Sequence, residues 1–570
     1  MNSYSKTALA AAICTALTAG HAGAATFNVT NTSDAGAGSL REALSQANGN
    51  AEADIIDLSS ISGQTVSLTS GQLEIDDDIA TINGAGVTVD AGGNSRVLAT
   101  YYSDVTINDL IITGGDAAGS QPLRGFPTGI GGGIASFDGS LELNDSEVSG
   151  NTAAYAGGGI YFDSEYDNLT INDSVISSNS SAYAGGGVYA SSKYGDITFS
   201  GAQISSNTTG SEGGGILTFA FDGQVTLDNT VVSGNSAIGG GVPNRQVSDE
   251  RAEFKAARST WGEDSRGDIS NSGYAGGAYI GGPFGDIVVR QSTISGNSAT
   301  FAGGLSAYGG YGSILVEEST LSGNTAAYFG GGGVLRAKYD LQVRNSTISG
   351  NSSGDLNGGL VLYSSLSDQQ INSPERGTQP RNILIDFTTI TDNSAADIGG
   401  LGISSDISVP INASVISGNT APTDPDIGFD PGAYGQADVN FTLVGVDSTS
   451  GTLNFDATGS TLLGQDPQLG PLADNGGPTF THLPAAASPV VDVVTSGSVG
   501  CGDVVTSDQR GESRPSEAGC EAGSVERGVA APPPPAVAVP VMDRIGLLLM
   551  AGLLGLAGLF GFRRRAERKL

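Results

Sequence analysis

The sequence predicts an all-β fold, a right-handed parallel β-helix, and three observations lead there. A unit of 27 to 28 residues recurs through the middle of the chain, each unit carries short alternating β-forming stretches, and glycine marks the points where the chain must turn. The 88 glycines in 570 residues are about twice average usage, and the 21 prolines are too few for collagen or for a Pro-rich disordered chain.

The clearest unit is LELNDSEVSGNTAAYAGGGIY, from Leu141 to Tyr161, and variants begin at Leu169, Ile197, Val225, Ile287, Ile314, Leu341 and Ile383. One asparagine marks each copy: Asn151, Asn179, Asn207 and Asn235 recur every 28 residues, and Asn297, Asn324 and Asn351 every 27. Each copy reads as three strands and three turns: a trio such as Leu141-Glu142-Leu143, a second piece around Val148, and a third after the glycines. Alternation at a period of two turns one apolar row inward, and Asn and Gly supply the left-handed backbone of tight corners. One coil cannot bury that row, but stacked coils about 4.8 Å apart can. An 18-residue hexapeptide coil, the usual left-handed form, does not fit the unit, and a helical 3.6 period is absent.

The register has an internal check. Arg290, Glu317, Arg344 and Asp386 follow the same trio in successive copies and should stack with alternating sign. The interval of 62 residues from Asn235 to Asn297 reads as two periods plus about six residues, with a divergent coil around Ser259-Thr260-Trp261 and a short charged helix from Ser248 to Arg258. About 15 extra residues fall between Ser364 and Arg381. Both additions read as following a Gly-Gly strand, hence as lying on one side, where repeat proteins often bind ligands.

Met1 to Ala24 reads as a secretory signal, with Lys6 ahead of an apolar run and Ala22-Gly23-Ala24 as the cleavage site, so cleavage is expected after Ala24. An N-terminal cap is expected over 25–53. There Ser39 and Glu42 have capping-box spacing, and Leu40, Ala43, Leu44 and Ala47 share one face of a short helix. The repeats occupy 54–459 and a C-terminal module 460–528. Within that module Cys501 and Cys520, an even pair in an exported chain, are expected to form one disulfide across a C-terminal cap. A Pro-rich spacer covers 529–540, and 541–570 is an anchor tail in which Ile545 to Phe562 is uncharged and precedes a basic end. That pattern predicts one C-terminal transmembrane helix with the repeats outside the cytoplasm, either anchored at the inner membrane or at the cell surface after processing.

The formal charge of −34 argues against nucleic acid and anionic lipid as partners. No metal or cofactor motif is present, and one histidine after the signal, His482, makes no catalytic set. Two aromatic columns stand out. Tyr155 and Tyr183, then Tyr274, Phe301 and Tyr328, precede the glycines; Tyr166, Tyr194, Phe221, Tyr311 and Tyr339 follow the Gly-Gly strand, beside Asp167, Asp196, Asp222 and Asp340, with Tyr363 a further candidate. Such a row fits either a stack that protects an exposed corner or a ridge that recognises sugars, ring faces on apolar sugar faces and carboxylates on hydroxyls.

Several stretches carry resemblances. GSLREAL, from Gly38 to Leu44, resembles the opening of bacterial surface proteins of the CSLREA type, here without the cysteine. Asp466 to Thr479, Ser488 to Asp492, Asp508-Gln509-Arg510-Gly511 and Arg514-Pro515 resemble the C-terminal module of the choice-of-anchor Q family, whose closing Gly-Ala-Phe-Glu stands here as Gly523-Ser524-Val525-Glu526. Val539, Pro540 and Gly546 match the register of the IPTL-CTERM sorting signal, which implies an exosortase-type processing enzyme of a Gram-negative bacterium as partner; the family's Trp is Ile545 here. The repeats also resemble those of chlamydial polymorphic outer-membrane proteins in their Gly-Gly-aliphatic element, with Ile-Ser-Gly-Asn replacing Phe-x-x-Asn. Together these resemblances imply a surface-displayed, non-enzymatic adhesin or envelope and matrix component, with a polysaccharide or other surface ligand. The alternative is a polysaccharide lyase or glycoside hydrolase, because fold does not decide function.

Overall fold

The computed structural model describes residues 25–49, 53–76, 79–120, 128–238, 273–364, 381–429, 435–456, 460–516 and 518–527. These belong to one compact unit that ends at Arg527. Strand pairing along the repeats is parallel throughout: each strand pairs with its counterpart one coil before and one coil after, in sheets of 27, 12 and 7 strands. This is a parallel β-helix.

A coil contains four strands rather than the expected three. In the unit from Leu141 these are Leu141–Asn144, Glu147–Ser149, Thr152–Ala153 and Ile160–Ser164. The additional two-residue strand follows the asparagine corner, and its counterparts form the seven-stranded sheet. The first two faces share one sheet because the early strands Ile79–Asp90 and Asp104–Thr113 bend through the first corner unbroken. Leu141, Leu143, Val148, Ile160 and Phe162 point inward and are fully buried in one continuous core with their counterparts. Full burial of each such side chain stabilises the fold by roughly 1.5–3 kcal/mol.

Two corners are made the same way in every coil. The residue before each corner adopts left-handed backbone, as at Asp145, Asp173 and Asn229, and again at Gly150, Ser178 and Ser206. Behind the second corner the asparagines form an unbroken buried ladder. Asn151 donates from both backbone N and Nδ2 to Oδ1 of Asn179 at 3.0 Å, and the pattern repeats through Asn207, Asn235, Asn297, Asn324, Asn351, Asn393 and Asn419. Asp426 Oδ1 ends it by accepting from Asn419. The Gly-Gly pair exists because of this ladder: a Cβ on Gly159 would lie 2.9 Å from Asn179 Nδ2 and 2.7 Å from the Gly187 carbonyl.

The charge column has the expected register, with Arg290 opposite Glu317, Glu317 opposite Arg344, and Arg344 opposite Asp386. Arg344 lies 3.7 Å from Glu317, and Arg290 reaches back to Asp228 at 3.1 Å.

Two expectations about organisation need correction. Asn235 bonds directly to Asn297, and Val225–Asp228 pairs with Ile287–Arg290, so no coil intervenes in the 62-residue interval. The described chain stops after the strand Ser236–Ala237 and resumes ahead of the Gly276-Gly277 strand; the helix expected from Ser248 to Arg258 and the coil expected at Trp261 lie outside the described residues. The second addition, at residues 365–380, leaves after the strand Leu360–Ser364, so the two depart from different corners rather than one side.

At the N-terminal end the helix α1 (Leu40–Ala47) buries Leu40, Ala43, Leu44 and Ala47 in the solenoid core. Ser39 Oγ accepts from Glu42 N, while the Glu42 carboxylate reaches Gly38 N at 2.9 Å, one residue before the usual capping-box donor. Arg41 ties the cap to the first coils through the carbonyls of Gly71 and Gln72 and an ion pair with Asp34.

The C-terminal module does not cover the far end of the solenoid; it lies along the flank of the last coils. Thr320, Thr347, Thr389 and Val415, on the outward side of the second face, are buried beneath it. Gln509 bonds Thr347 at 2.7 Å and Thr320 at 2.9 Å, His482 meets Ser349 at 2.8 Å, and Gly523 N donates to the Ala413 carbonyl. Phe387, Val415 and Leu443 form a second apolar core with Val490, Val494 and the Cys501–Cys520 disulfide, whose S–S distance is 2.04 Å. Within the module Arg514 is buried, bonded to Glu526 at 2.8 Å and seated on the Phe387 ring at 4.4 Å. Burial, together with neighbouring Glu526, raises the pKa of Glu521. Phe387 holds the left-handed backbone, φ +46°, that the residue before the first corner adopts in each coil, uncommon for a bulky side chain.

The fold class is also corrected at its last element. Among the described residues no helix is long and apolar enough to cross a membrane, so the described fold contains no transmembrane helix. The segment on which that expectation fell, residues 545–562, lies outside the described residues, as do Ala24, Val539, Pro540 and Gly546.

Candidate functional site: an aromatic ridge on one corner

The corner that follows the Gly-Gly strand gathers the rings the sequence singled out. Strand register places one loop above the next: Tyr194 N donates to the Glu165 carbonyl, Phe284 N to the Phe221 carbonyl, and Tyr311 N to the Pro283 carbonyl. Tyr166 and Tyr194 stack with ring centroids 5.1 Å apart and planes 20° apart. A second run joins Phe221 to Phe284 at 5.0 Å, Phe284 to Tyr311 at 5.1 Å and 3°, and Tyr311 to Tyr339 at 5.9 Å and 32°. Phe284 was missed because its loop, Gly-Pro-Phe-Gly, breaks the Tyr spacing. Between the two runs the register slips by one residue. Phe221 N donates to the Ser192 carbonyl, so Asp222 takes the place that Tyr194 holds a coil earlier, and no ring contact joins Tyr194 to Phe221.

The rings are outward. Exposure runs from 38% at Phe221 to 67% at Tyr166, with Tyr339 half-buried. Yet stacking along the axis occupies most ring faces with neighbouring rings, so the ridge presents edges and hydroxyls rather than the open faces expected from the sequence. Tyr166 ends one stack, and among the described residues Tyr339 is the last ring of the other. Tyr363 is not part of the ridge: it sits within a strand, opposite Arg336 on the outward row of the Gly-Gly face.

The neighbouring carboxylates divide into two kinds. Asp167 Oδ2 accepts from Gly139 N and Ser164 Oγ, both at 2.7 Å, and Asp196 Oδ1 accepts from Gln224 N at 2.8 Å. These two close loops between coils. Asp340 accepts from Gln342 Nε2 at 3.0 Å. Asp222 is exposed beside the break in the stack.

Two lysines sit on the ridge. Lys193 lies 4.9 Å from the Tyr194 ring centroid and 3.1 Å from Glu165, and its hydrogen bond to Glu165 raises its pKa. Lys338 lies 4.5 Å from the Tyr311 centroid; partial burial, then nearby Arg336, lowers its pKa. Arg336 in turn lies 5.8 Å from the Tyr308 ring. The other aromatic column, Tyr155 on Tyr183 and Tyr274 on Phe301 on Tyr328, stacks in the same manner at 5.0–5.3 Å on the corner before the Gly-Gly strand. Among the described residues no group of three or more His, Cys, Asp or Glu stands ready to hold a metal ion.

No protein-family model matches the chain, and no curated protein matches it. Among solved structures the chain is similar to the crystal structure of the pectate lyase Pel9A, at 13% sequence identity and a TM-score of 0.33, over 90% of this chain and 98% of that one.

Proposed function

We propose that this is an exported, non-enzymatic binding protein, an adhesin or matrix component of the cell exterior, whose aromatic ridge holds extended carbohydrate chains. One observation carries the reading: six rings from six loops converge on one exposed corner at nearly one ring per coil, most of them 5.0–5.1 Å apart. A polymer lying along the axis meets a ring edge at each step and a hydroxyl at the four tyrosines, Tyr166, Tyr194, Tyr311 and Tyr339. Tyrosine hydroxyls both donate to and accept from sugar hydroxyls, and Tyr166, at the end of its stack, offers a ring face to apolar sugar faces. A signal-like N-terminus and a disulfide support export, and the match of Val539, Pro540 and Gly546 to a sorting signal supports handling by an exosortase-type enzyme.

A glycan array combined with a polysaccharide depolymerisation screen, with and without calcium, tests this. Binding without cleavage, weakened at least tenfold by Tyr166→Ala with Tyr194→Ala, is the expected result. Shortened or unsaturated products would replace this reading with that of a lyase or hydrolase.

A further inference from the structure

We propose that the C-terminal end of the ridge, at Arg336 and Lys338, binds the acid group of an acidic saccharide; this rests on the carbohydrate reading of the ridge. The chain carries 59 acidic against 25 basic residues, and along the coils its cations are matched to that excess. Lys193 faces Glu165, Arg290 faces Asp228, Arg344 faces Glu317 and Arg381 faces Asp406. Among the described residues Lys338 has no carboxylate within ion-pair distance. Its ammonium rests on the Tyr311 ring, and Asp340, two residues on, turns instead to Gln342 and Asn382. Lys338 is repelled by Arg336, of like sign, which sits over Tyr308 on the strand Gly333–Ala337 that ends just before it.

The arrangement is costly in the free protein. Half-burial strips water from the ammonium, and a second cation beside it adds repulsion. An anion set between Arg336 and Lys338 removes both penalties and gains charge-assisted hydrogen bonds. Tyr311 and Tyr339 flank the position, so a sugar whose ring lies on the ridge brings a carboxylate or sulfate to these cations. The rest of the acidic surface repels a dense polyanion. The favoured ligand is therefore a saccharide with acid groups spaced between neutral units.

The test titrates the full-length protein with hyaluronan and alginate oligosaccharides, each alongside its carboxyl-reduced neutral form, and with a sulfated chondroitin oligosaccharide, at fixed salt. The acid forms are expected to bind about tenfold or more tightly than their neutral forms, the gain of one charge-assisted contact. Lys338→Met, which keeps the apolar stem over Tyr311, should abolish that preference, so that acid and neutral forms bind alike, while Lys338→Arg should retain it. Preference for the sulfated chain over both carboxylates would identify sulfate as the acid group. Equal binding of acid and neutral forms would overturn this inference and leave the ridge reading standing. A preference that survives Lys338→Met would also overturn it. Binding of neither form would end the inference, and the neutral sugars of the glycan array would then decide the ridge reading separately.

Discussion

The asparagine ladder makes a quantitative prediction at Asn324. Its side chain is fully buried and makes four hydrogen bonds: Oδ1 accepts from Asn297 N at 3.0 Å and from Asn297 Nδ2 at 2.9 Å, and Nδ2 donates to the Ile294 carbonyl and to Asn351 Oδ1, both at 2.9 Å. Asn324→Ala leaves its own backbone bond to Asn351 in place but removes the acceptor of the Asn297 backbone N–H. Asn297 Nδ2 keeps a second partner, the Val232 carbonyl at 2.9 Å. The main cost is therefore one buried N–H without an acceptor, about 1–3 kcal/mol, with a smaller loss for the bonds to Ile294 and Asn351 and for the void, in total about 3–5 kcal/mol. Asn324→Asp should cost more near neutral pH, because a carboxylate would face two acceptors in a buried site, and should recover partly in acid as it gains a proton to donate. Because each coil contacts only its neighbours, the loss should be local. Amide hydrogen exchange should quicken at Asn297 and Asn324 and in the adjoining coils, with little change near Asn179. Ser298→Ala, at an exposed hydroxyl in the next strand, is the control, expected within about 0.5 kcal/mol. A cost below about 1 kcal/mol for Asn324→Ala, or exchange that quickens equally along the whole solenoid, would refute the ladder as the element that locks coil to coil.

Further predictions concern the corners and the docked module. Burial pushes the Asp386 carboxyl up to about 6, so its stabilising contribution is full below the unfolded value of 3.8 and is lost as pH rises from there through about 6. Asp386→Asn should remove that dependence and stabilise the protein above pH 6 by about 1–3 kcal/mol, read from urea midpoints at pH 4 and 7.5. Arg514→Met should leave Glu526 buried without its partner and cost about 3–5 kcal/mol, seen as faster proteolysis within residues 466–527 while the repeats stay intact. Ala202 interrupts a column of corner hydroxyls in which Ser174 Oγ accepts from Ser146 N and Ser292 Oγ from Thr230 N; Ala202→Ser should add the missing rung and stabilise by about 0.5–1.5 kcal/mol, measured as a rise in melting temperature.

What the sequence by itself determined is most of what repeats, the two-residue strand after each asparagine corner excepted. A solenoid stacks residue i on residue i+27 or i+28, so each interaction between neighbouring coils is written as a spacing, and the asparagine ladder, the charge column and the rows of rings could all be read from it. The cap helix was legible for a different reason, since its hydrogen bonds and apolar face are local. The structure decided what spacing cannot encode. The 62 residues between Asn235 and Asn297 satisfy two periods as well as one period with an excursion, and only the direct bond between those asparagines distinguishes them. Ring orientation is likewise set in three dimensions: equal spacing brings Tyr166 to Tyr194 whether faces or edges look outward, and packing along the axis turns the faces inward to each other. The module is the largest case. Its contacts join residues about 110 to 190 positions apart, such as Ala413 with Gly523 and Ser319 with Gln509, and these pairs occur once. The outward row beneath it runs Glu147, Val175, Gln203, Val231 and Thr293 before Thr320, Thr347, Thr389 and Val415, so the sequence marks no sharp change where the module docks. A row of threonines suits an exposed strand as well as a polar interface, and which of the two it becomes depends on what packs over it.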